Sequence, residues 1–133
     1  MSDQTPLLQI QDLAVADRHR GVWLGALRDI SLDIQPGQVY GLVGESGSGK
    51  TTLAMAVMRY LGENGCVTGG RVIFAGRNLL ELSDQEMRQY WGLRISLVPQ
   101  DPMSALNPSL VVGEQVQEIL RRRPQGKESL REL

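Results

Sequence analysis

The chain has 133 residues, with 14 lysines and arginines against 15 aspartates and glutamates, for a formal net charge of −1. Hydrophobic residues at 41% and charged residues at 22% are ordinary for one soluble globular domain, which argues against disorder and against a membrane protein. The balanced charge also argues against a nucleic-acid partner, because such partners select an excess of Lys and Arg. Glycine is in excess, at about 11% of residues against a typical ~7%.

The cysteine count argues against a disulfide-rich protein, and the short apolar runs argue against a chain that spans a membrane. Cys66 is the single cysteine, so there is no internal disulfide framework, and an incidental thiol is the favoured interpretation. The longest apolar run, 53–58, is far shorter than the ~18 residues that a transmembrane helix needs. The first 12 residues have no basic region followed by an apolar core, so they do not form a secretory signal. If the protein works at a membrane, another chain supplies the spanning part.

The first 60 residues predict three strands and a helix. Strands are predicted over 7–15 and 22–34 from their apolar positions, and Pro36 and Gly37 predict a turn after the second. The short apolar run 39–43 predicts a strand buried on both faces. A glycine cluster follows, and the Ala-, Met- and Leu-rich residues 51–58 behind it predict a helix.

The middle of the chain predicts short elements separated by glycine turns. Turns are predicted at Asn64-Gly65 and Gly69-Gly70, with a strand over 71–74. Ser83 and Glu86 have capping-box spacing, which predicts the start of a short helix.

The last third predicts a strand over 95–98, a loop over 99–108 and a helix from Val112. The apolar positions of that helix fall on one face: Val112, Val116, Ile119 and Leu120. The charged tail from Arg121 to Lys127 ends the helix and is interpreted as a solvated end.

The glycine cluster matches the pattern G-x-x-x-x-G-K-[ST] through Gly44, Gly49, Lys50 and Thr51. It lies after an apolar strand and opens a helix, which is the context that a phosphate-binding loop requires. The predicted nucleotide-binding residues are Gly44, Glu45, Ser46, Gly47, Ser48, Gly49, Lys50, Thr51 and Thr52.

Each residue type in the loop has a chemical reason. Glycines let main-chain N–H groups approach a polyphosphate without obstruction, and the helix adds the positive end of its dipole. Lys50 is predicted to bridge the β- and γ-phosphates, Thr51 to offer its hydroxyl to Mg²⁺, and Thr52 to meet the α-phosphate. The pattern predicts a bound nucleotide but does not by itself say which reaction follows.

A second segment, residues 95–108 around Gln100, resembles the Q-loop region of ABC ATPases, in the form found in the oligopeptide, dipeptide and nickel importer branch. Residues 26–32 and 36–37 precede the loop as they do in that family, and the resemblance extends from about residue 8 to 120. It implies that Gln100 reaches the Mg²⁺ and the attacking water. Lys50 and Gln100 are thus the predicted catalytic residues, and Thr51 and Gln100 the predicted metal ligands.

The resemblance also implies a fold and a function. The expected fold is α/β, a P-loop NTPase core with an antiparallel β-rich subdomain, as part of an ABC-type nucleotide-binding domain. The resemblance implies three parts within residues 1–133. Residues 7–61 hold the strands, the phosphate loop and the first helix. Residues 62–110 hold a β segment, a short helix and the Q-loop, and residues 111–133 begin a helical subdomain.

The implied function is that of the ATP-binding subunit of an ABC transporter, using ATP and Mg²⁺ to drive import of peptides or similar small solutes. The implied partners are membrane permease subunits, a second ABC ATPase subunit (identical or different) and, indirectly, a solute-binding protein. The implied location is peripheral, at the cytoplasmic face of the cell membrane.

The sequence departs from the family in two places. The family stacks adenine on an aromatic residue near the first strand, where this chain has Asp17 or Arg18. Trp23 could substitute after a loop rearrangement, although packing in the core or on the sheet is favoured.

The second departure concerns later motifs. No signature sequence, Walker B acidic pair or switch histidine follows the Q-loop, and His19 precedes the phosphate loop, so it does not match the switch histidine. The expectation is the N-terminal half of a domain, binding nucleotide weakly and hydrolysing it negligibly by itself.

Four alternatives to the importer remain open. One is a soluble ABC-type ATPase that is not coupled to a permease, and another is a fragment that only binds nucleotide. The third is an unrelated P-loop kinase or GTPase, although the guanine box Asn-Lys-x-Asp does not occur. The fourth is a degenerate module with a purely structural role.

Overall fold

The computed structural model describes residues 5–121, which divide into two compact units, one up to Met87 and one from Arg88. The first unit is built on a four-stranded antiparallel sheet in the order β2-β1-β3-β4. The strands are β1 (Leu8–His19), β2 (Val22–Ile34), β3 (Gly65–Phe74) and β4 (Arg77–Asn78).

Strands β1 and β2 form a long hairpin closed by a two-residue turn. His19 pairs with Val22, and the turn residues Arg20 and Gly21 both have positive φ, 50° and 82°. Two positive φ values give the turn the right-handed twist of the flanking strands. The predicted first strand is confirmed and runs past residue 15 to His19, because β2 pairs with it along that whole length.

A bulge in β1 explains why β3 is longer than predicted. The register slips between Gln11 and Ala14, where Asp12 has a φ of 47° and its amide donates to the Ser31 hydroxyl at 2.9 Å. Gly69 and Gly70 lie opposite this bulge inside β3, so the predicted glycine turn is wrong. The glycines allow close approach of the backbones instead of reversing the chain.

The helix predicted behind the glycine cluster is confirmed. Helix α1 is Lys50–Val57, and it buries Leu53 and Ala56 in the first unit. Further buried residues of that unit come from the sheet and from the segment after it: Ile10, Leu13, Val15, Leu27, Val72, Leu79, Leu82 and Met87. This core fixes the start of α1 relative to the hairpin.

Arg59 ties the end of α1 to the segment that follows the sheet. Its positive φ of 52° ends the helical path, and its guanidinium donates to the carbonyls of Leu79 and Leu82, at 3.4 and 2.5 Å. An ion pair of 3.4 Å joins it to Asp84. Arg59 thereby braces the 3₁₀ turn Leu79–Glu81.

The predicted capping box is confirmed at helix α2 (Asp84–Met87). The Ser83 amide donates to Glu86 Oε2 at 2.8 Å, and the Glu86 amide donates to Ser83 Oγ at 3.3 Å. The backbone hydrogen bond from Ser83, with a second one from its hydroxyl, lowers the pKa of Glu86 below its ordinary value. These bonds are made to the charged carboxylate and therefore favour it.

We expect this capping box to make stability depend on pH in the acid range. A carboxylate with a lowered pKa stabilises the fold above the pKa of the unfolded chain, about 4.3, and loses that contribution as pH falls through the lower folded value. Thermal melts between neutral and acid pH should therefore show a smaller acid loss for Glu86→Gln than for the wild type. Glu63→Gln is the control, since Glu63 has no hydrogen bond or ion pair among residues 5–121. An identical acid loss in both variants and the wild type would contradict the prediction.

Residues 39–43 do not form the strand that was predicted. They follow the turn at 35–38, where the Gln38 amide donates to the Gln35 carbonyl at 3.1 Å, but they pair with no strand of the described chain. Val39 and Val43 are 96% and 99% exposed. A strand of this apolar kind needs partners on its edges and layers on both faces, and the antiparallel sheet supplies neither.

In the second unit, the strand predicted over 95–98 is also absent. Ile95 makes a single bridge to Trp91, and the amides of Arg94 and Ile95 both donate to the Tyr90 carbonyl at 2.9 Å. A tight turn around Gly92, with a φ of 75°, thus ends at Ile95, and residues 96–98 have no regular secondary structure.

The rest of the second unit is a loop followed by helix α3 (Val112–Arg121). The loop contains a 3₁₀ turn, Pro102–Ala105, whose start is capped by the Asp101 carboxylate. Gln115 holds the loop to the helix by accepting from the Asn107 amide at 2.9 Å and donating to the carbonyls of Asn107 and Leu110 at 3.1 Å. The helix is confirmed, with Val112 and Val116 exposed, whereas the predicted tail from residue 122 lies outside the described residues.

Among residues 5–121, no helix combines the length and the apolar character that crossing a bilayer requires.

Candidate functional site

The loop before α1 is shaped by two glycines with positive φ. Gly47 and Gly49 have φ values of 82° and 92°, in the left-handed region that favours glycine. Gly49 also has no room for a side chain, because a Cβ there would lie 2.6 Å from Leu27 Cδ2 and 3.5 Å from the Ala26 carbonyl. The end of the loop therefore packs directly against β2, and the hairpin sets where α1 begins.

Gly44, at the start of the loop, lies similarly close to Ser48, near the end of the loop. A Cβ on Gly44 would lie 2.6 Å from the Ser48 hydroxyl, and the Ser48 amide donates to the Glu45 carbonyl at 3.1 Å. The loop is thus a tight curve in which Gly44 lies against the Ser48 side chain.

The Lys50 ammonium group lies inside this curve. It donates to the carbonyls of Gly44 and Glu45 at 2.6 and 2.7 Å, and to the Ser48 hydroxyl at 3.0 Å. All three of its protons have acceptors, so the lysine holds the loop closed. The same three N–H groups can donate to phosphate oxygens in place of these acceptors.

Three amides at the start of α1 strengthen the positive character of the loop. The first intrahelical bond runs from the Leu53 amide to the Gly49 carbonyl at 2.8 Å, so the amides of Lys50, Thr51 and Thr52 have no acceptor within the helix. No acidic residue lies in the first turn. The helix dipole therefore adds to the lysine charge.

These features fit a polyphosphate. Gly44 and Gly49 allow a tight curve that has no room for a Cβ at either position, Lys50 supplies a cation, and the helix start supplies amides. Thr51 is exposed at the same end, where its hydroxyl could ligate a divalent cation. Residues 5–121 contain no group of three or more His, Cys, Asp or Glu side chains able to hold a metal ion by themselves, so a cation here would take further ligands from phosphate and water.

A groove of about 120 Å³ runs between β1 and α1 beside the loop. It is lined by Val15, Asp17, Thr51, Thr52, Met55, Leu61 and Gly65. Since two of these are the threonines of the motif, the groove continues the phosphate loop toward the sheet. The sequence pattern did not reveal Met55, Leu61 or Leu27 as parts of the site, because only the packing of α1 on the hairpin brings them there.

Gln100, the second predicted catalytic residue, belongs to the other unit. It lies at a bend and its side chain is exposed. The candidate site is accordingly built from the first unit alone.

A larger cavity of about 480 Å³ lies along β3 and is lined by Arg59, Cys66 and the glycines of that strand. The guanidinium of Arg59 already donates to the carbonyls of Leu79 and Leu82. Cys66 is half-buried. This cavity presents no free cation and does not resemble the loop at Gly44.

Trp23 is not a core residue, as 49% of its surface is exposed. It pairs with Arg18 across the hairpin, and the Arg18 guanidinium lies 6.0 Å from the centre of the indole ring. Its role in the structure is packing on the sheet, one of the two predicted roles.

The loop, its lysine and the start of α1 have the arrangement of a P-loop, and comparison with known proteins gives the family. A family model described as "ABC transporter" matches residues 27–132. The chain is 40% identical over 116 residues to a putative peptide import ATP-binding protein of Brucella abortus, covering 87% of this chain and 35% of that one.

Two other relatives agree. A dipeptide transport ATP-binding protein of Bacillus subtilis is 40% identical over 127 residues, covering 94% of this chain and 38% of the relative. An oligopeptide transport ATP-binding protein of Mycobacterium bovis is 47% identical over 116 residues, covering 87% and 19%.

The chain belongs to the ABC transporter family, and the predicted family and fold class are confirmed. It spans about a third of the length of the first two of these relatives.

Proposed function

We propose that this chain supplies the phosphate-binding part of the ATP-binding subunit of an ABC importer for peptides or similar small solutes. The observation that carries the proposal is the Lys50 ammonium group held within a glycine-shaped loop at the start of α1. The relatives named for peptide, dipeptide and oligopeptide transport support the importer assignment.

The residues of the first unit act by binding and orienting. Lys50 exchanges its bonds to the Gly44 and Glu45 carbonyls for oxygens of the β- and γ-phosphates, and the amides of residues 50–52 hold the remaining oxygens. Because Gly49 packs against Leu27, the end of the loop and the start of α1 are held in place while Lys50 exchanges its acceptors. Preorganised donors of this kind stabilise negative charge more effectively than water does.

Thr51 and Gln100 are proposed to hold Mg²⁺, and Gln100 also to position the attacking water. When bound, Mg²⁺ neutralises charge on the phosphate oxygens. Thr51 contributes a hydroxyl at the exposed end of the loop. Hydrolysis and coupling to transport are proposed for the whole protein.

The proposed partners are permease subunits, a second ABC ATPase subunit and, indirectly, a solute-binding protein. The proposed location is the cytoplasmic face of the cell membrane. A soluble ABC-type ATPase remains the second candidate, and binding of a permease through residues 101–108 separates the two. Loss of permease binding on replacing that loop supports the importer, and no binding at all supports the soluble protein.

The direct test is a titration of the chain with Mg-ATP, Mg-ADP and AMP by calorimetry. We expect affinity to rise with the number of phosphates, with AMP about 100-fold weaker than Mg-ATP, because the loop recognises the β- and γ-phosphates through several charge-assisted hydrogen bonds. Equal affinity for AMP and ATP would contradict the proposal, since the loop would then contribute nothing.

A further inference from the structure

Asn64 lies in the turn that leads into β3, directly before Gly65. The residue is exposed, and within the described part of the chain, 5–121, its side-chain amide makes no hydrogen bond. Asparagine is among the thermally labile residue types, because the backbone nitrogen of the next residue can attack its side-chain carbonyl carbon. The Asn64 side chain is free to take part in that reaction.

The backbone amide of Gly65 is free as well. The Arg18 amide donates to the Asn64 carbonyl at 2.6 Å, and Asp17 is opposite Gly65 in the next pair. Because hydrogen-bonded and non-hydrogen-bonded pairs alternate along an antiparallel ladder, the Gly65 N–H points away from β1. On that edge β4 pairs only with the far end of β3. Glycine also carries no Cβ that would obstruct the approach of its nitrogen.

The other two asparagines lack this combination. The Asn78 side chain is held by hydrogen bonds of 3.3, 3.2 and 2.8 Å to two backbone amides and to the Glu81 carboxylate. Asn107 precedes Pro108, whose nitrogen has no hydrogen and cannot act as the nucleophile. Asn64 alone among the three has a free side chain followed by a free glycine amide.

We infer that Asn64 is a site of spontaneous deamidation, with water as the only co-reactant. The Gly65 nitrogen loses its proton and attacks the side-chain carbonyl carbon of Asn64. The new C–N bond closes a cyclic imide, and the side-chain nitrogen takes up a proton and leaves as ammonia. Water then adds to either carbonyl of the imide and breaks its bond to nitrogen, which gives aspartate or isoaspartate. No atom is oxidised or reduced.

The modification changes both charge and backbone at this turn. Either product adds a negative charge to a chain whose formal net charge is −1. Isoaspartate also adds a methylene to the main chain directly before Gly65, where a Cβ would already lie 2.8 Å from Leu61 Cβ. Because Gly65 and Leu61 line the groove beside the phosphate loop, the altered turn borders the candidate site.

The test incubates the folded full chain for several days and follows each asparagine by mass spectrometry after trypsin. An arginine lies between each asparagine and the next, so each falls in its own peptide. We expect aspartate and isoaspartate to accumulate at residue 64 and to stay at the starting level at Asn78 and Asn107. The rate should rise about 10-fold per pH unit, because the attacking nitrogen is the deprotonated amide, whose fraction far below its pKa grows by that factor.

Asn64→Gln is the matched variant, because it keeps an exposed amide but sets its carbonyl carbon one bond farther from the Gly65 nitrogen. It should abolish the new products in that peptide. A second wild-type sample, unfolded in urea, gives the rate without the fold, and we expect the folded chain to react at a rate of the same order. Products that form at residue 64 only in urea, or in neither sample, would overturn the inference, and so would an unchanged rate in Asn64→Gln.

Discussion

Replacing Lys50 with methionine is expected to weaken binding of Mg-ATP by about 100-fold or more, because the ammonium group makes at least two charge-assisted bonds that methionine cannot make. Methionine retains most of the side-chain volume and removes the charge. The measurement is a calorimetric or fluorescence titration of both proteins under the same salt and Mg²⁺ concentrations.

The fold should survive this substitution. Lys50 makes its three bonds to an exposed loop, and the adjoining helix is anchored separately by buried Leu53 and Ala56. We therefore expect the free energy of unfolding to change by less than about 1 kcal/mol. Lys50→Arg is the informative companion, because arginine keeps the charge but cannot fold its planar group into the same curve. Unchanged affinity in Lys50→Met would remove the lysine from the proposed mechanism.

Replacing Gly70 with alanine is expected to destabilise the first unit by about 3 kcal/mol or more, because left-handed backbone strain adds to a steric clash. Gly70 has a φ of 88°, and a Cβ there would lie 2.5 Å from the carbonyl oxygens of both Gln11 and Asp12. Those atoms belong to the backbone of the β1 bulge, so relief requires moving the strand and not merely a rotamer.

The neighbouring glycine provides a matched control. A Cβ on Gly69 would meet only the Ala14 Cβ, at 3.9 Å, which is an ordinary van der Waals contact. We expect Gly69→Ala to change stability by less than about 1 kcal/mol. Urea unfolding followed by circular dichroism measures both variants, and equal destabilisation would show that the bulge does not require a glycine at position 70.

Local patterns predicted the elements whose stabilising contacts lie close in sequence. The capping box of Ser83 and Glu86 is present as predicted, and helix α1 begins directly after Gly49. The two strands predicted over 39–43 and 95–98 are absent, because strands of this kind depend on distant partners that periodicity does not contain. The turn predicted at Gly69 and Gly70 is wrong, because these glycines are required by the pairing of β3 with the bulge, which lies far away in the sequence.

The candidate site was predictable to a similar extent. Residue spacing identifies the loop from Gly44 to Thr52, because the chemistry of a polyphosphate fixes those residue types. The placement of Asp17 in the groove required the packing of α1 on the hairpin, and the pairing of Trp23 with Arg18 required the hairpin register. The close packing of Gly49 against Leu27 is a tertiary contact, which the sequence pattern does not contain.

The two-residue turn at Arg20 and Gly21 has a consequence for synthesis on the ribosome. Strands β1 and β2 are adjacent in the chain, and a hairpin forms in about 1–10 μs, whereas translation adds only about 5–20 residues per second. The hairpin can therefore pair and dissociate many times before β3 emerges to hold it. The surface of β2 against which Gly49 packs is thus available before the loop from Gly44 to Thr52 has been fully translated.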